Sequence, residues 1–119
     1  MGQVTHHAII ATTHDLTKAQ ELYRFCRDIG AAVNMVTSNI NKYETVFIGP
    51  DGSKSGWADS DEGDKRRAAI KERLNEYSYD DGSSPFDWVE LRYSSDVDEG
   101  AETHSIVDTG FGYVRGANT

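Results

Sequence analysis

The chain switches repeatedly between a two-residue and a three-to-four-residue hydrophobic period. Val4 to Thr12 holds the continuous small-apolar run Ala8-Ile9-Ile10-Ala11, the mark of a strand buried in mid-sheet. Leu16, Ala19, Leu22, Tyr23, Cys26 and Ile29 then recur at steps of three and four, with Lys18, Glu21, Arg24, Arg27 and Asp28 largely off that stripe. This predicts an amphipathic helix from about Leu16 to Ile29, capped by Asp15 or Thr17 and stopped at Gly30, where a left-handed cap is expected. Val33 to Thr37 and Tyr43 to Ile48 read as strands joined through Asn39-Ile40-Asn41-Lys42, a hairpin. A second helix is predicted over Asp61 to Tyr77. Asp59 with Glu62 is placed to cap it, and its apolar stripe is thin: Ala68 or Ala69, Ile70, Leu74 and Tyr77. Phe86 to Tyr93 alternates as a strand, Val89, Leu91 and Tyr93 on one face and Phe86, Trp88, Glu90 and Arg92 on the other. Thr103 to Thr109 is a last strand, with His104, Ile106 and Asp108 expected on one face.

The resulting order, β-α-β-β-α-β with an extra C-terminal strand, is the ferredoxin-like plan: an α+β fold with an antiparallel sheet and two helices on one face. The whole chain of 119 residues is read as a single domain, with residues 115–119 expected to fray. A hydrophobic share of 37% makes the core lean. The edge strands of such a sheet make a homodimer one way of covering them.

Charge changes the picture more than composition does. Twenty Asp and Glu against twelve Lys and Arg give a formal charge of −8, which repels nucleic-acid phosphates and anionic membranes. Direct nucleic-acid or membrane binding is therefore not expected, whereas solubility or a basic protein partner fits. The single cysteine, Cys26, sits on the apolar stripe of the first helix and reads as a buried inert thiol. No apolar run approaches a bilayer span, and the start of the chain lacks the layout of a signal peptide, so a cytoplasmic protein is the expectation.

Motif tests remove most catalytic readings. Gly49-Pro50-Asp51-Gly52-Ser53-Lys54-Ser55 has the letters of a phosphate loop but not its spacing, and Pro50 removes a backbone donor; a hairpin or bulge loop is the reading kept. Counting from Asp59, a calcium loop needs Gly and Glu where Asp64 and Ile70 stand. Gly52-Ser53-Lys54-Ser55-Gly56 puts Lys at the centre of what would be a nucleophile elbow. Paired His-x-Thr/Ser motifs, as in the two-histidine phosphoesterases, fail at both His7-Ala8-Ile9 and His104-Ser105-Ile106. A metal-dependent hydrolase would have to gather His7, His14 and His104 by folding alone, without a ligand-spacing motif.

The stretch from Gly49 to Trp88 concentrates turns, charges and aromatics. Within it, Gly52-Ser53-Lys54-Ser55-Gly56-Trp57, Asp61-Glu62-Gly63-Asp64 with its charged helix, and Asp81-Gly82-Ser83-Ser84 ahead of Asp87-Trp88-Val89-Glu90 resemble a group of small acidic proteins of tailed bacteriophages and prophages. That group has no established activity. The resemblance implies a viral origin, hence a host-cell cytoplasm, and lends no catalytic residues.

The functional expectation is a non-enzymatic phage accessory protein that binds a host protein with a basic surface, as a host-defence antagonist or DNA mimic. Its acidic surface is expected at Asp80-Asp81 and Asp96 to Glu102, with Trp57, Tyr79 and Trp88 as aromatic anchors. The alternative is a protein that sequesters a nucleotide or other small molecule through Ser53 to Gly56 with Lys54, Lys65, Arg66 and nearby aromatics. A metal-dependent or histidine-based hydrolase is the third reading. No cofactor is expected for the first.

Overall fold

The computed structural model describes the backbone of residues 4–49, 53–54, 58–94 and 104–110, and the side chains of residues 6–49, 61–93 and 109–110. Strand β1 (Val4–Thr13) is followed by helix α1 (Leu16–Asp28), strands β2 (Val33–Thr37), β3 (Glu44–Ile48) and β4 (Ser53–Lys54), helix α2 (Ala58–Glu76), and strands β5 (Phe86–Ser94) and β6 (His104–Gly110). The sheet runs β2-β3-β1-β5-β6, antiparallel at every step, with the short β4 also paired to β1. The fold is α+β. The order β2-β3-β1-β5 interleaves the two β-α-β units as in the split β-α-β plan, and β4 and β6 are additions to it.

Local sequence explains the elements. Asp15 is the cap of α1: its carboxylate accepts the Lys18 amide at 3.1 Å, and Thr13 Oγ1 accepts the Asp15 amide. Gly30, at φ +90, closes the helix; its amide donates to the Arg27 carbonyl and the Ala31 amide to that of Cys26, the paired bonds of a Schellman cap. The second helix begins at Ala58, ahead of the predicted Asp61, so Asp59 lies inside its first turn and not before it.

One face of the sheet is covered. Ile9 and Ala11 of β1, Val46 and Ile48 of β3, and Phe86 and Trp88 of β5 form one core with Ala19, Leu22 and Cys26 of α1 and Ile70 and Leu74 of α2. Leu22, Ile70 and Leu74 are fully buried, each contributing about 1.5–3 kcal/mol of apolar transfer. The stripe of α2 is less thin than its apolar residues suggest, because Gly63 and Arg67 are buried in line with Ile70, Leu74 and Tyr77. At the far end of the helices, the Arg73 guanidinium lies 5.1 Å from the Phe25 ring, and the Tyr77 and Phe86 rings meet 5.1 Å apart at a tilt of 52°. The Tyr77 hydroxyl donates to Glu21 at 3.1 Å, and burial, with that bond, raises its pKa. No helix among the described residues is long and apolar enough to cross a membrane.

Two irregularities depart from the simple alternation. Between Ile48↔Ile9 and Ser53↔Thr5, five steps along the β3–β4 segment match four along β1, so β4 continues β3 past an extra residue. Between β5 and β6 the register shifts at Glu90/Leu91, pairing Glu90 with Asp108 but Leu91 with Ile106. The expected grouping of His104, Ile106 and Asp108 on one face is thereby corrected: the extra residue puts Asp108 in register with the helix-side Glu90, and His104 and Ile106 with Tyr93 and Leu91 of the other face.

Candidate functional site

The C-terminal end of β1, the start of β3 and the start of β5 meet at one edge of the molecule. Thr12 is in register with both Thr45 and Asp87, and its hydroxyl shares a 2.9 Å hydrogen bond with that of Thr45. By strand alternation Thr12, Asp87 and the flanking His14 and Tyr43 belong to the face that the helices leave open. The His14 and Tyr43 rings lie 6.1 Å apart, and both side chains are exposed. Together with Thr13, Ser84 and Pro85, these residues line a depression of about 260 Å³. A shallower one of about 170 Å³ adjoins it through the shared Thr12 and Asp87, extending along Ile10 and Val89.

The chain enters this end through a rigid turn. The Tyr79 amide donates to the Ser83 carbonyl at 2.7 Å and the Gly82 amide to the Tyr79 carbonyl at 2.9 Å. Gly82 takes φ +89, which a side chain would strain. The Ser83 hydroxyl and amide both donate to Asp81 Oδ1, at 2.6 and 2.9 Å, and hold the Asp81 carboxyl below its ordinary pKa. Tyr79 is 54% exposed, and Asp80 and Asp81 are exposed beside it.

The other concentration of charge lies inside. Glu90, 4% exposed, has Lys71 Nζ 2.7 Å from Oε1, and Arg67 Nε and His7 Nδ1 each 3.7 Å from Oε2. Arg67 also pairs with Asp64 one turn back along α2. Three side chains from two elements thus converge on one buried carboxylate of a third, which pins α2 to β5 and β1.

The sequence-predicted site residues divide accordingly. Tyr79, Asp80 and Asp81 share one turn. Trp88 is no surface anchor: it is 4% exposed, because its strand parity is that of Phe86 and Glu90, toward the helices. Lys65 is exposed and Arg66 half-buried on α2; the cavity beside Arg66, lined also by Ala31, Ile48 and Ile70, is about 20 Å³, room for a water and not a nucleotide. Trp57, the Lys54 side chain and Asp96 to Glu102 lie outside the described residues, as do the Pro50-Asp51-Gly52 turn and the C-terminal residues 115–119. The histidines do not gather. His7 sits among Arg67, Lys71 and Glu90, where two cations repel a metal ion; His14 is at the opposite end of β1; His104 is in register with Tyr93, across from His6. Among the described residues no three His, Cys, Asp or Glu side chains form a metal-binding group.

Sequence reasoning missed both Glu90 and the depression. Glu90 shares parity with buried Phe86 and Trp88, and Arg67 falls on the stripe of Ile70 and Leu74; a carboxylate and a guanidinium on two apolar faces were the available signal. No protein-family model, no curated protein and no solved structure matches this chain.

Proposed function

We propose that the protein acts by binding and not by catalysis, engaging a basic surface on a bacterial host protein through the end that carries Tyr79, Asp80 and Asp81. The observation that carries this reading is the hydrogen-bonded turn, which presents an exposed aromatic beside two exposed carboxylates in a fixed geometry. Preorganisation lowers the entropy cost of association, aromatic residues dominate interface energies, and acidic groups steer a basic partner. The net charge of −8 supports the same polarity of recognition. The phage-like pattern in the middle of the chain is the reason for choosing a bacterial host. A nucleic-acid-binding surface is the natural basic target there, which would make the protein a DNA mimic or an antagonist of a host defence.

The test is affinity capture from bacterial lysate with wild-type protein and with the Tyr79→Ala/Asp80→Asn/Asp81→Asn variant. A basic protein retained by wild type, lost from the variant and released as ionic strength shortens the screening length below about 8 Å is the expected result. Equal capture by both proteins, or capture indifferent to salt, would overturn the reading.

A further inference from the structure

The face of the sheet opposite the helices is unlike the rest of the surface. Strand pairing puts Val36 of β2, Phe47 of β3, Ile10 of β1, and Val89 and Leu91 of β5 on that side. Phe47, Ile10 and Val89 are register neighbours, so they make one unbroken apolar row across three strands. Val36 and Phe47 are exposed, and Ile10, Val89 and Leu91 are half-buried. Polar and amphipathic side chains surround this centre: Asn34, Thr12, Thr45, and the rings of His6 and Tyr93, whose centres lie 5.2 Å apart. The chain carries twelve Lys and Arg and twenty Asp and Glu, yet among the described strand side chains of this face the one charge is Asp87, which already holds an interaction. A sheet face turned to water ordinarily alternates polar residues into these positions. An apolar centre inside a polar, charge-poor rim is instead the layout of a protein interface.

We infer that a second copy of the chain packs on this face, sheet against sheet, to make a homodimer. Charge selects the occupant. A basic partner is drawn to the acidic turn, and this face gives it little to pair with. Two copies that each carry −8 repel one another, and the charge-poor face is where they approach with least opposition. Size agrees. The five longer strands, at about 3.4 Å per residue and about 4.8 Å apart, outline roughly 600 Å², and side-chain relief brings the accessible area toward the ~800 Å² that a stable interface takes from each partner. Shape agrees as well. Phe47 and Tyr93 stand out from the face while the depressions at Thr12 and along Ile10 and Val89 sink into it, so two copies have knobs and hollows to interlock. Stacked sheets pack about 10 Å apart with their side chains interdigitated in this way. The inference stands apart from the role of the acidic turn, which lies at the end of the sheet and not on its face.

The experiment is analytical ultracentrifugation of the full chain over a dilution series, at low and at high ionic strength. Wild type is expected at twice the 13.2 kDa of one chain, with the single chain appearing on dilution. Salt screens the repulsion between like-charged copies, so raising it should tighten the dimer, the opposite of its effect on a basic partner at the acidic turn. Phe47→Glu and Val89→Lys each place a charge in the apolar centre and should return the mass to that of one chain, with circular dichroism and thermal melting showing the fold retained. Val36→Glu, at an exposed position of the same face, takes the place of either variant that fails to fold. The Tyr79→Ala/Asp80→Asn/Asp81→Asn variant should remain dimeric. A single-chain mass for wild type at every concentration overturns the inference. So does a dimer that survives the folded face variants, which would put the pairing on another surface such as the β2 edge, or one that loosens as salt rises. None of these outcomes bears on capture of a basic protein by the acidic turn, so the two readings fail separately.

Discussion

Glu90 on β5 and Arg67 on α2 face each other 3.7 Å apart with their side chains 4% and 10% exposed, an ion pair withdrawn from water in a molecule whose other charges mostly lie outside. Removing Glu90 takes the shared counter-charge from Arg67, Lys71 and His7 at once, and breaking a buried pair typically costs about 3–5 kcal/mol. Glu90→Ala is expected to destabilise on that scale, with Glu90→Gln losing less because the amide oxygen still accepts a hydrogen bond. Urea unfolding of both variants checks the order. The double replacement of Glu90 and Arg67 by methionine should recover much of the loss.

At Gly49 two backbones come close together. The glycine takes φ +99, and a Cβ there would stand 2.6 Å from the His7 carbonyl oxygen. Gly49→Ala should cost at least about 1–2 kcal/mol from the left-handed conformation alone, before the clash is counted. Gly82, also left-handed but with nothing near its missing Cβ, should suffer only the conformational part. Paired melting curves of Gly49→Ala and Gly82→Ala separate the two effects.

Cys26 is fully buried, and burial pushes its thiol up to about 12. A thiol reagent at neutral pH should leave the folded protein unmodified and react promptly in denaturant. The linkage has a definite sign. The neutral thiol is the form the fold prefers, so its contribution is complete below the unfolded value of 9.0 and is lost as pH rises toward 12. Stability measured across that window should fall, and Cys26→Ala should lack this component of the decline.

The Asp15 cap runs the other way. The Lys18 amide, and then its ammonium, lower the Asp15 pKa from 3.8. Stability from the charged cap is present above that value and is lost as pH falls through the lowered folded pKa. Asp15→Asn should retain most of the helix content of α1 and remove this acid sensitivity, whereas Asp15→Ala should lose the cap outright, as circular dichroism against pH will show.

Much of the fold was legible because local rules and tertiary demands agree. β2 runs from Val33 to Thr37 with the bounds its sequence predicts, and Gly30 ends α1 because the chain there needs a left-handed residue. The start of α2 was misplaced because acidic residues suit both a cap and a first turn. The bulge at Glu90/Leu91 was invisible because strand alternation carries no mark of the extra residue that breaks it. The site was legible only where it is local. Tyr79 to Ser83 form one turn and could be read from adjacent letters, while Thr12, Tyr43 and Asp87 meet through strand pairing across widely separated positions. Trp88 shows the same limit: its exposure turned on which face the helices cover, and alternation alone does not say.

The placement of β1 carries a consequence for how the molecule is made. β1 lies between β3 and β5, and its partners run from Glu44 through Lys54 on one side to Ser94 on the other. Although β1 precedes both neighbours in the chain, its second flank closes only once β5 has been synthesised. Until then Ala8-Ile9-Ile10-Ala11 is an apolar strand with a bare edge, the kind of segment that invites association with another chain. The high sequence separation of these pairings makes folding slow relative to a helical domain of this length, and prolongs the interval in which that edge is uncovered.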